Sequence, residues 1–170
     1  LVIKTKVQPP RLYKKEEKKM KFVEELFSVE NKVVVIPGGC GILGGEIAKG
    51  FSKSGAKVII CDIKGFEEKR EEFKKEGIEV DSMYIDVLKK DEIEKTCKKI
   101  IDKYGKIDVL VNAAGGNMKD ATTSDDLSFF DLPLSALEKV VVLNLFGGAI
   151  LPAQVFGKEM IKNKEGGSII

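Results

Sequence analysis

The segment PGGCGILGG at 37–45 carries five glycines and lies between an apolar run and an amphipathic one. A strand that turns directly into a helix leaves backbone N–H groups unpaired at the positive end of the helix dipole, where a phosphate group can bind. Gly38 would allow the tight turn, and Gly41 would let a diphosphate approach the backbone. Gly44 or Gly45 would let the helix pack closely on the strand. The segment therefore predicts a phosphate-binding turn, of a kind that flavin, nucleotide and S-adenosylmethionine proteins share.

A carboxylate follows this turn at the distance expected for recognition of a sugar. Asp62 ends the next apolar run, 18 residues after Gly44, where it can accept hydrogen bonds from both hydroxyls of an adenosine ribose. A 2′-phosphate would be repelled there, so NAD rather than NADP is the predicted cofactor. Lys64 lies close enough to soften that preference. The alternative is that Asp62 only begins the turn DIKG.

The composition of the chain excludes several kinds of catalytic and metal sites. The 170 residues contain no histidine, which excludes histidine general bases, Ser/His/Asp triads and most zinc sites from this chain. The three cysteines, Cys40, Cys61 and Cys97, have no CxxC spacing, so we predict a reduced intracellular protein without a metal site. Cys40 is interpreted as a small residue in a tight loop, with a reactive thiol as the alternative.

The net charge and the hydropathy pattern indicate which kinds of partner the chain would bind. The 29 basic and 27 acidic side chains nearly cancel, so no net field favours nucleic acid or an acidic membrane, and a small-molecule partner is predicted. The apolar stretch 140–156 approaches the length of a membrane span, but it contains Asn144, Pro152 and Gln154. It is therefore interpreted as a buried helix of a cytoplasmic protein.

Short apolar runs alternate with amphipathic ones from Lys32 onward, which is typical of βαβ units. We predict an α/β fold of the Rossmann type, with a doubly wound parallel sheet. Strands are predicted at 33–36, 58–61, 80–85 and 109–111, with a last one from 167. Helices are predicted near 43–51, 66–76, 91–104 and 135–160, the last apolar nearly all round and so covered on several sides. The polar segment 115–133 is long for a connection and is interpreted as an active-site loop.

The beginning of the chain has an unusual composition. It opens on Leu1, and the charged run KKEEKK stands directly before Met20. We interpret 1–19 as a non-native or disordered extension that results from a start assigned too early, with a solvated charged arm as the alternative. Residues 20–170 are then predicted to form one NAD-binding Rossmann domain.

Four motifs in this order resemble the short-chain dehydrogenase/reductase family. PGGCGILG at 37–44 is similar to that family's Thr-Gly-x-x-x-Gly-x-Gly turn, and IDV at 85–87 to its acidic position beside the adenine. VNAAGG at 111–116 resembles its Asn-Asn-Ala-Gly stretch, and LNLFG at 143–147 the helix motif whose asparagine joins a proton relay. The resemblance implies a Rossmann enzyme that moves a hydride between NAD(P) and an alcohol or carbonyl.

The resemblance also implies roles for single residues and for partners. It assigns a catalytic role to Asn144. It implies cofactor contacts at Gly38, Cys40, Gly41, Ile42, Leu43, Gly44, Asp62, Asp86, Val87, Asn112, Ala114 and Gly115. The segment from GGN at 115–117 to VFGKEM at 155–160 resembles the branch that acts on sugar acids, such as mannonate or fructuronate reductases and gluconate dehydrogenases. A polar sugar-acid or polyol substrate is therefore expected, together with a homo-oligomer or a complementing chain.

Three departures from the family pattern affect the turn and its neighbour. Pro37 replaces the usual threonine, so the contact that ties the turn to the asparagine stretch is expected to be lost. Ile42 stands where the middle glycine is usual, with Gly41 before it, and Ala113 replaces the second asparagine. Cofactor binding is expected to survive these changes in weakened form.

The resemblance implies that the sheet is truncated after about the fifth strand and that the domain at 20–170 is incomplete, because the family's catalytic serine and Tyr-x-x-x-Lys motif would lie beyond that strand. Tyr13, Tyr84 and Tyr104 are the only tyrosines, and none has a lysine four positions later. We therefore expect this chain alone to be inactive, and poorly soluble or oligomeric. A non-catalytic dinucleotide-binding module or complementing subunit is the alternative, and a methyl-donor or nucleotide enzyme of similar topology is a third.

Overall fold

The computed structural model describes residues 21–22 and 25–170, so the interpretation of 1–19 lies outside the described residues. The strands are β1 Val33–Pro37, β2 Lys57–Asp62, β3 Asp81–Tyr84, β4 Val109–Leu110 and β5 Ser168–Ile169. The helices between them are α1 Ile42–Lys53, α2 Phe66–Lys75, α3 Lys90–Tyr104 and α4 Leu134–Met160. Each predicted strand and helix is present, with ends that differ by a few residues at most.

The five strands form one parallel sheet in the order β3-β2-β1-β4-β5. The predicted α/β fold with a doubly wound parallel sheet is confirmed. The chain moves outward from β1 through β2 to β3, and then returns to add β4 on the other side of β1. This reversal opens a crevice at the carboxyl ends of β1 and β4, which is where open α/β sheets bind ligands.

Both faces of the sheet are covered, which explains why its inner strands are apolar throughout. On one face of the sheet, Val33 and Val35 of β1 belong to the core that α3 and α4 cover. On the other face, Val34 and Ile36 belong to the core that α1 and α2 cover, with Phe73 of α2 fully buried. The period of two along β1 thus divides its side chains between two separate cores.

The long helix α4 is only partly covered. Its middle, Val142–Ile150, is π-helical, and the Leu151 N–H donates to the Phe146 carbonyl five residues earlier. By length and composition α4 could cross a membrane, and 28% of its most apolar window is buried. Phe156 and Met160 near its end are buried, whereas Leu145 and Phe146 are about half exposed. Within the described residues α4 is thus covered mainly on the side that packs on the sheet, and the predicted cover on its other sides stays a prediction.

The β3 strand contains a buried hydroxyl whose removal should stabilise the protein. Ser82 Oγ is shielded from solvent and has no hydrogen-bond partner among the described residues. A buried polar atom without a partner costs about 1–3 kcal/mol. We therefore expect Ser82→Ala to raise the free energy of unfolding by about 1 kcal/mol, measured by urea denaturation.

A matched substitution nearby should have the opposite effect. Ser52 Oγ of α1 donates a 2.9 Å hydrogen bond to the Glu79 carbonyl, so Ser52→Ala is expected to lower the free energy of unfolding by about 1 kcal/mol. Equal destabilisation by both substitutions would contradict the assignment of Ser82 as unpaired.

Candidate functional site

The glycine turn lies at the crevice between β1 and β4. The Gly38 N–H donates to the Cys61 carbonyl over 2.8 Å, and Gly38 has a φ of +82°, which L side chains rarely adopt. A Cβ added there would lie 2.3 Å from the Ala113 oxygen. A Cβ on Gly44 would lie 2.4 Å from the Gly38 oxygen. Both glycines are thus required by close backbone approach, as predicted from their spacing.

The turn is tied to the segment after β4 despite the proline. The Ala113 N–H donates a 3.0 Å hydrogen bond to the Pro37 carbonyl. This bond continues the backbone ladder between β1 and β4, whereas the loss expected from the sequence concerns the hydroxyl and the N–H of the usual threonine, both of which proline lacks. Any residue at position 37 could accept this bond, because the donor is the backbone N–H of the neighbouring segment.

The first turn of α1 presents free backbone donors. Gly45 N–H is bonded to the Gly41 carbonyl over 2.8 Å, but the N–H groups of Ile42, Leu43 and Gly44 have no acceptor among the described residues. Within the part of the chain that the structure describes, no side chain caps this end of the helix. The side chains of Ile42 and Leu43 are exposed. Three amides at the positive end of a helix dipole form a site suited to an anion.

Asp62 lies beside these donors at the end of β2. Its Oδ2 accepts a hydrogen bond from the Cys40 N–H at 3.3 Å, and its Oδ1 accepts one from the Ile63 N–H at 2.9 Å. Each carboxylate oxygen can accept more than one hydrogen bond, so the group retains capacity for further donors. The predicted ribose carboxylate thus also fixes the glycine turn.

Asp86 and Val87 follow β3 at the same edge of the sheet. The Ile85 N–H donates to the Asp62 carbonyl over 3.0 Å, which brings the two acidic residues to one edge. The Asp86 carboxylate accepts from the Leu88 N–H at 3.0 Å and pairs with Lys89 Nζ at 3.0 Å. That hydrogen bond raises the pKa of Lys89.

A cleft of about 260 Å³ joins these groups. The predicted site residues that line it are Gly38, Gly41, Asp62, Asp86, Val87, Ala114 and Gly115. Apolar residues that the sequence interpretation did not include also line it, namely Ile63, Ile85, Leu88, Ala113 and Leu143. An apolar wall with two carboxylates at its rim suits a flat heterocycle that is attached to a polyhydroxylated sugar.

Other predicted residues lie outside that cleft. Cys40 lines a neighbouring cleft with Gly41 and Asp62. Asn112 donates its N–H to the Ile170 carbonyl at 2.8 Å, whereas its side-chain oxygen is buried and has no partner among the described residues. Its position supports the pairing of β4 with β5 rather than contact with the cleft.

Asn144 lies in the π-helical part of α4 and bonds to backbone groups. Its Oδ1 accepts from the Gly116 N–H at 3.0 Å, and its Nδ2 donates to the carbonyls of Gly116 and Val140, both at 2.8 Å. A Cβ on Gly115 would lie 2.5 Å from that Oδ1. Asn144 therefore holds the start of the polar 115–133 segment against the helix, and its catalytic role rests on the resemblance.

The Cys40 thiol is not activated in this environment. Burial is the main cause that raises its pKa to about 12, and the adjacent Asp62 carboxylate adds to the effect. Because the thiolate is the nucleophilic form, this thiol is inert near neutral pH. Cys40 thus fits the interpretation of a small residue in a tight loop.

Two glycines with a structural need were missed by sequence interpretation. A Cβ on Gly39 would lie 2.7 Å from the Ile60 side chain, and one on Gly148 would lie 2.5 Å from the Ala114 oxygen. Gly39 had a signal in the dense glycine run at 37–45. Gly148 lies within an apolar helix and had no local signal, because its neighbour is remote in sequence.

The sequence matches the family model described as short chain dehydrogenase over residues 32–170. The chain belongs to the short-chain dehydrogenase family. The resemblance that rested on four ordered motifs is thereby confirmed. The match covers β1 to β5 with all the glycine, aspartate and asparagine positions described above.

Relatives of this short-chain dehydrogenase have similar sequences over most of its length. An uncharacterized oxidoreductase of Haemophilus influenzae is 32% identical, over 84% of this chain and 54% of its own. The NAD-dependent glycerol dehydrogenase of Listeria innocua is 34% identical, over 85% of this chain and 53% of its own. A solved structure from Haemophilus influenza, proposed to be a D-mannonate oxidoreductase and holding bound NAD, is 28% identical with a TM-score of 0.73.

The short-chain dehydrogenase chain spans about half the length of the curated relatives that it matches. It covers 56% of the solved D-mannonate oxidoreductase candidate, which in turn matches 86% of this chain. The shared part is the sheet from β1 to β5 with the glycine turn.

Proposed function

We propose that this chain is the NAD-binding part of a short-chain dehydrogenase that transfers a hydride between NAD and a hydroxyl or carbonyl group of a polar substrate. The observation that carries the proposal is the placement of the Asp62 carboxylate next to the glycine turn, where it accepts the Cys40 N–H at 3.3 Å. A ribose acceptor and free diphosphate donors thus stand side by side.

Groups suited to the adenosine diphosphate half of NAD lie in the described part of the chain. The free N–H groups of Ile42, Leu43 and Gly44 suit the diphosphate, because they carry no competing partner among the described residues. Asp62 suits the adenosine ribose, and Asp86 with Val87 suits the adenine edge beside the apolar cleft wall. When bound, NAD supplies a nicotinamide ring that accepts or donates the hydride.

Cofactor selectivity follows from charge. The Asp62 carboxylate accepts hydrogen bonds from ribose hydroxyls, whereas a 2′-phosphate at the same position would bring two negative groups into contact. The NAD-dependent glycerol dehydrogenase and the NAD-bound structure among the relatives favour the same cofactor.

The proposed substrate is a sugar acid or another polyol. Its support is the resemblance of the segment from 115 to 160 to the sugar-acid branch, together with two relatives whose names refer to glycerol and to D-mannonate. NAD-linked oxidation of gluconate, mannonate or glycerol by a full-length relative with this segment grafted in would test the choice. Unchanged substrate preference after the graft would contradict it.

We propose that the 170-residue polypeptide alone does not turn over substrate. It has no Tyr-x-x-x-Lys motif to act as the general acid and base, and Asn144 is bonded to backbone groups on both sides of its amide. Formation of NADH from gluconate or mannonate by this polypeptide would contradict the proposal.

A second candidate is a dinucleotide-binding subunit that is completed by another chain. The open edge at β5, whose residues are exposed, and the half-exposed apolar side of α4 favour such a partner. Co-purification of a chain that carries Tyr-x-x-x-Lys would favour this candidate, and a monodisperse monomer by light scattering would contradict it.

The Asp62 carboxylate provides the direct test of cofactor binding. Asp62→Asn keeps an oxygen for the Cys40 N–H but removes the charge, so the turn should persist while NAD affinity falls about 10- to 100-fold. Isothermal titration with NAD measures the change. Asp102→Asn on α3, where the carboxylate pairs with Lys98 at 2.9 Å, is the control and should leave the affinity unchanged. Equal affinity of both variants would contradict the proposed ribose contact.

A further inference from the structure

A second cleft lies on the other side of Asp62. Asp62 and Gly41 line both the cleft described above and a more open one of about 570 Å³, which we name the outer cleft. Charged residues of α2 and the preceding turn also line the outer cleft, namely Lys64, Glu68, Lys69 and Glu72. Because Asp62 stands between the two clefts, a group added to a ribose hydroxyl at this carboxylate would meet the charges of the outer cleft.

Lys69 of α2 lines the outer cleft and forms an ion pair with Glu72. Lys69 Nζ lies 2.9 Å from Glu72 Oε1 and 5.1 Å from the centre of the Phe73 ring. Its Cε would lie 3.4 Å from a Cβ added at Gly45, so the stem runs along the start of α1. The Lys69 side chain is 22% exposed. Its ammonium group is thus close to the glycine turn and neutralised by an ion pair.

The charge balance in the outer cleft is negative. The carboxylates of Asp62, Glu68 and Glu72 face the two ammonium groups of Lys64 and Lys69. The Cys40 thiol at the edge of this cleft responds to these charges. After burial, which is the largest cause, Asp62 and Glu68 raise its pKa, and Lys69 lowers it only in part. An added phosphate would therefore meet net repulsion on this side as well.

We propose that the Lys69–Glu72 ion pair is a second determinant of cofactor choice, which keeps Lys69 from contacting a 2′-phosphate and so reinforces the selection of NAD by Asp62. This inference rests on the proposed function, because it concerns the same ribose site. In this proposal Glu72 positions the Lys69 side chain, and Lys69 contacts a phosphate only when the ion pair is broken. It also means that neutralising Asp62 alone does not convert the site to NADP.

The test compares NAD and NADP binding to the full 170-residue chain by isothermal titration. The variants are Asp62→Ser, the double variant Asp62→Ser with Glu72→Gln, and a triple variant that adds Lys69→Met. Releasing Lys69 by the Glu72→Gln change should tighten NADP binding about tenfold relative to Asp62→Ser alone, since one carboxylate is removed and one ammonium group is freed. The triple variant should lose that gain, while NAD affinity changes less than twofold throughout this step.

A neighbouring carboxylate supplies the control. Glu71 pairs with Arg70 at 3.2 Å and does not line the outer cleft, so Asp62→Ser with Glu71→Gln should bind NADP like Asp62→Ser alone. Equal NADP affinity with and without Glu72→Gln, or a gain that persists after Lys69→Met, would overturn the inference while NAD binding by the wild-type chain upholds the proposed function. A wild-type chain that binds no NAD would overturn both. Thermal melts of each variant verify that it is folded.

Discussion

A Gly38→Ala substitution is expected to abolish NAD binding by this chain and to lower its free energy of unfolding by about 2 kcal/mol or more. The added Cβ would lie 2.3 Å from the Ala113 oxygen and 2.4 Å from the Ala114 nitrogen. Those atoms are backbone, so they can move only with the segment that follows β4. The φ of +82° adds strain for any L side chain. Isothermal titration with NAD and urea denaturation measure the two effects.

A glycine-to-alanine substitution within α1, at Gly50, serves as the control. Gly50 lies in α1, and a Cβ added there would meet nothing within 4 Å. Because alanine is the better helix former, Gly50→Ala should stabilise the protein by up to about 1 kcal/mol and leave NAD affinity unchanged. Wild-type NAD affinity in Gly38→Ala would contradict the role of the turn.

A Phe156→Ala substitution should produce the largest loss of stability, about 3–5 kcal/mol. Phe156 is 0% exposed and belongs to the core between α4 and the sheet. Truncation of the ring would remove the transfer free energy of its atoms and leave a cavity beneath α4. A loss of this size is a large part of the stability of a typical domain, so a cooperative urea transition should shift strongly or disappear.

Phe146 on the same helix gives a matched comparison. It is 46% exposed, so Phe146→Ala should change the free energy of unfolding by less than about 1 kcal/mol. If the exposed side of α4 is a contact surface between chains, the same change should reduce self-association in light scattering. Equal destabilisation by Phe146→Ala and Phe156→Ala would contradict the burial pattern of α4.

The fold was largely predictable from local sequence because its signals are local. The β-branched runs before Pro37 and before Asp62 must be buried on both faces, and only a parallel sheet covered by helices provides that. The position of Gly38 directly after an apolar strand indicated the sharp turn. The need for a glycine at position 44 was predictable for the same reason, since it depends on the nearby Gly38 carbonyl of the same turn.

Features that depend on remote contacts were not predictable. Nothing near Pro37 in the sequence indicates that Ala113 would donate to its carbonyl. The π-helical stretch around Asn144 likewise has no local marker, since it forms where the helix meets the Gly116 backbone. An apolar composition indicates which residues of α4 avoid water, but not whether this chain or another one covers them.

The hydrogen bonds that Asp62 already makes have a kinetic consequence. Its two oxygens accept hydrogen bonds from the Cys40 and Ile63 amides, so the chain itself fixes the surface that is proposed to meet the cofactor. Association should then be a single encounter step, and the observed rate in stopped-flow mixing should rise linearly with NAD concentration without reaching a plateau.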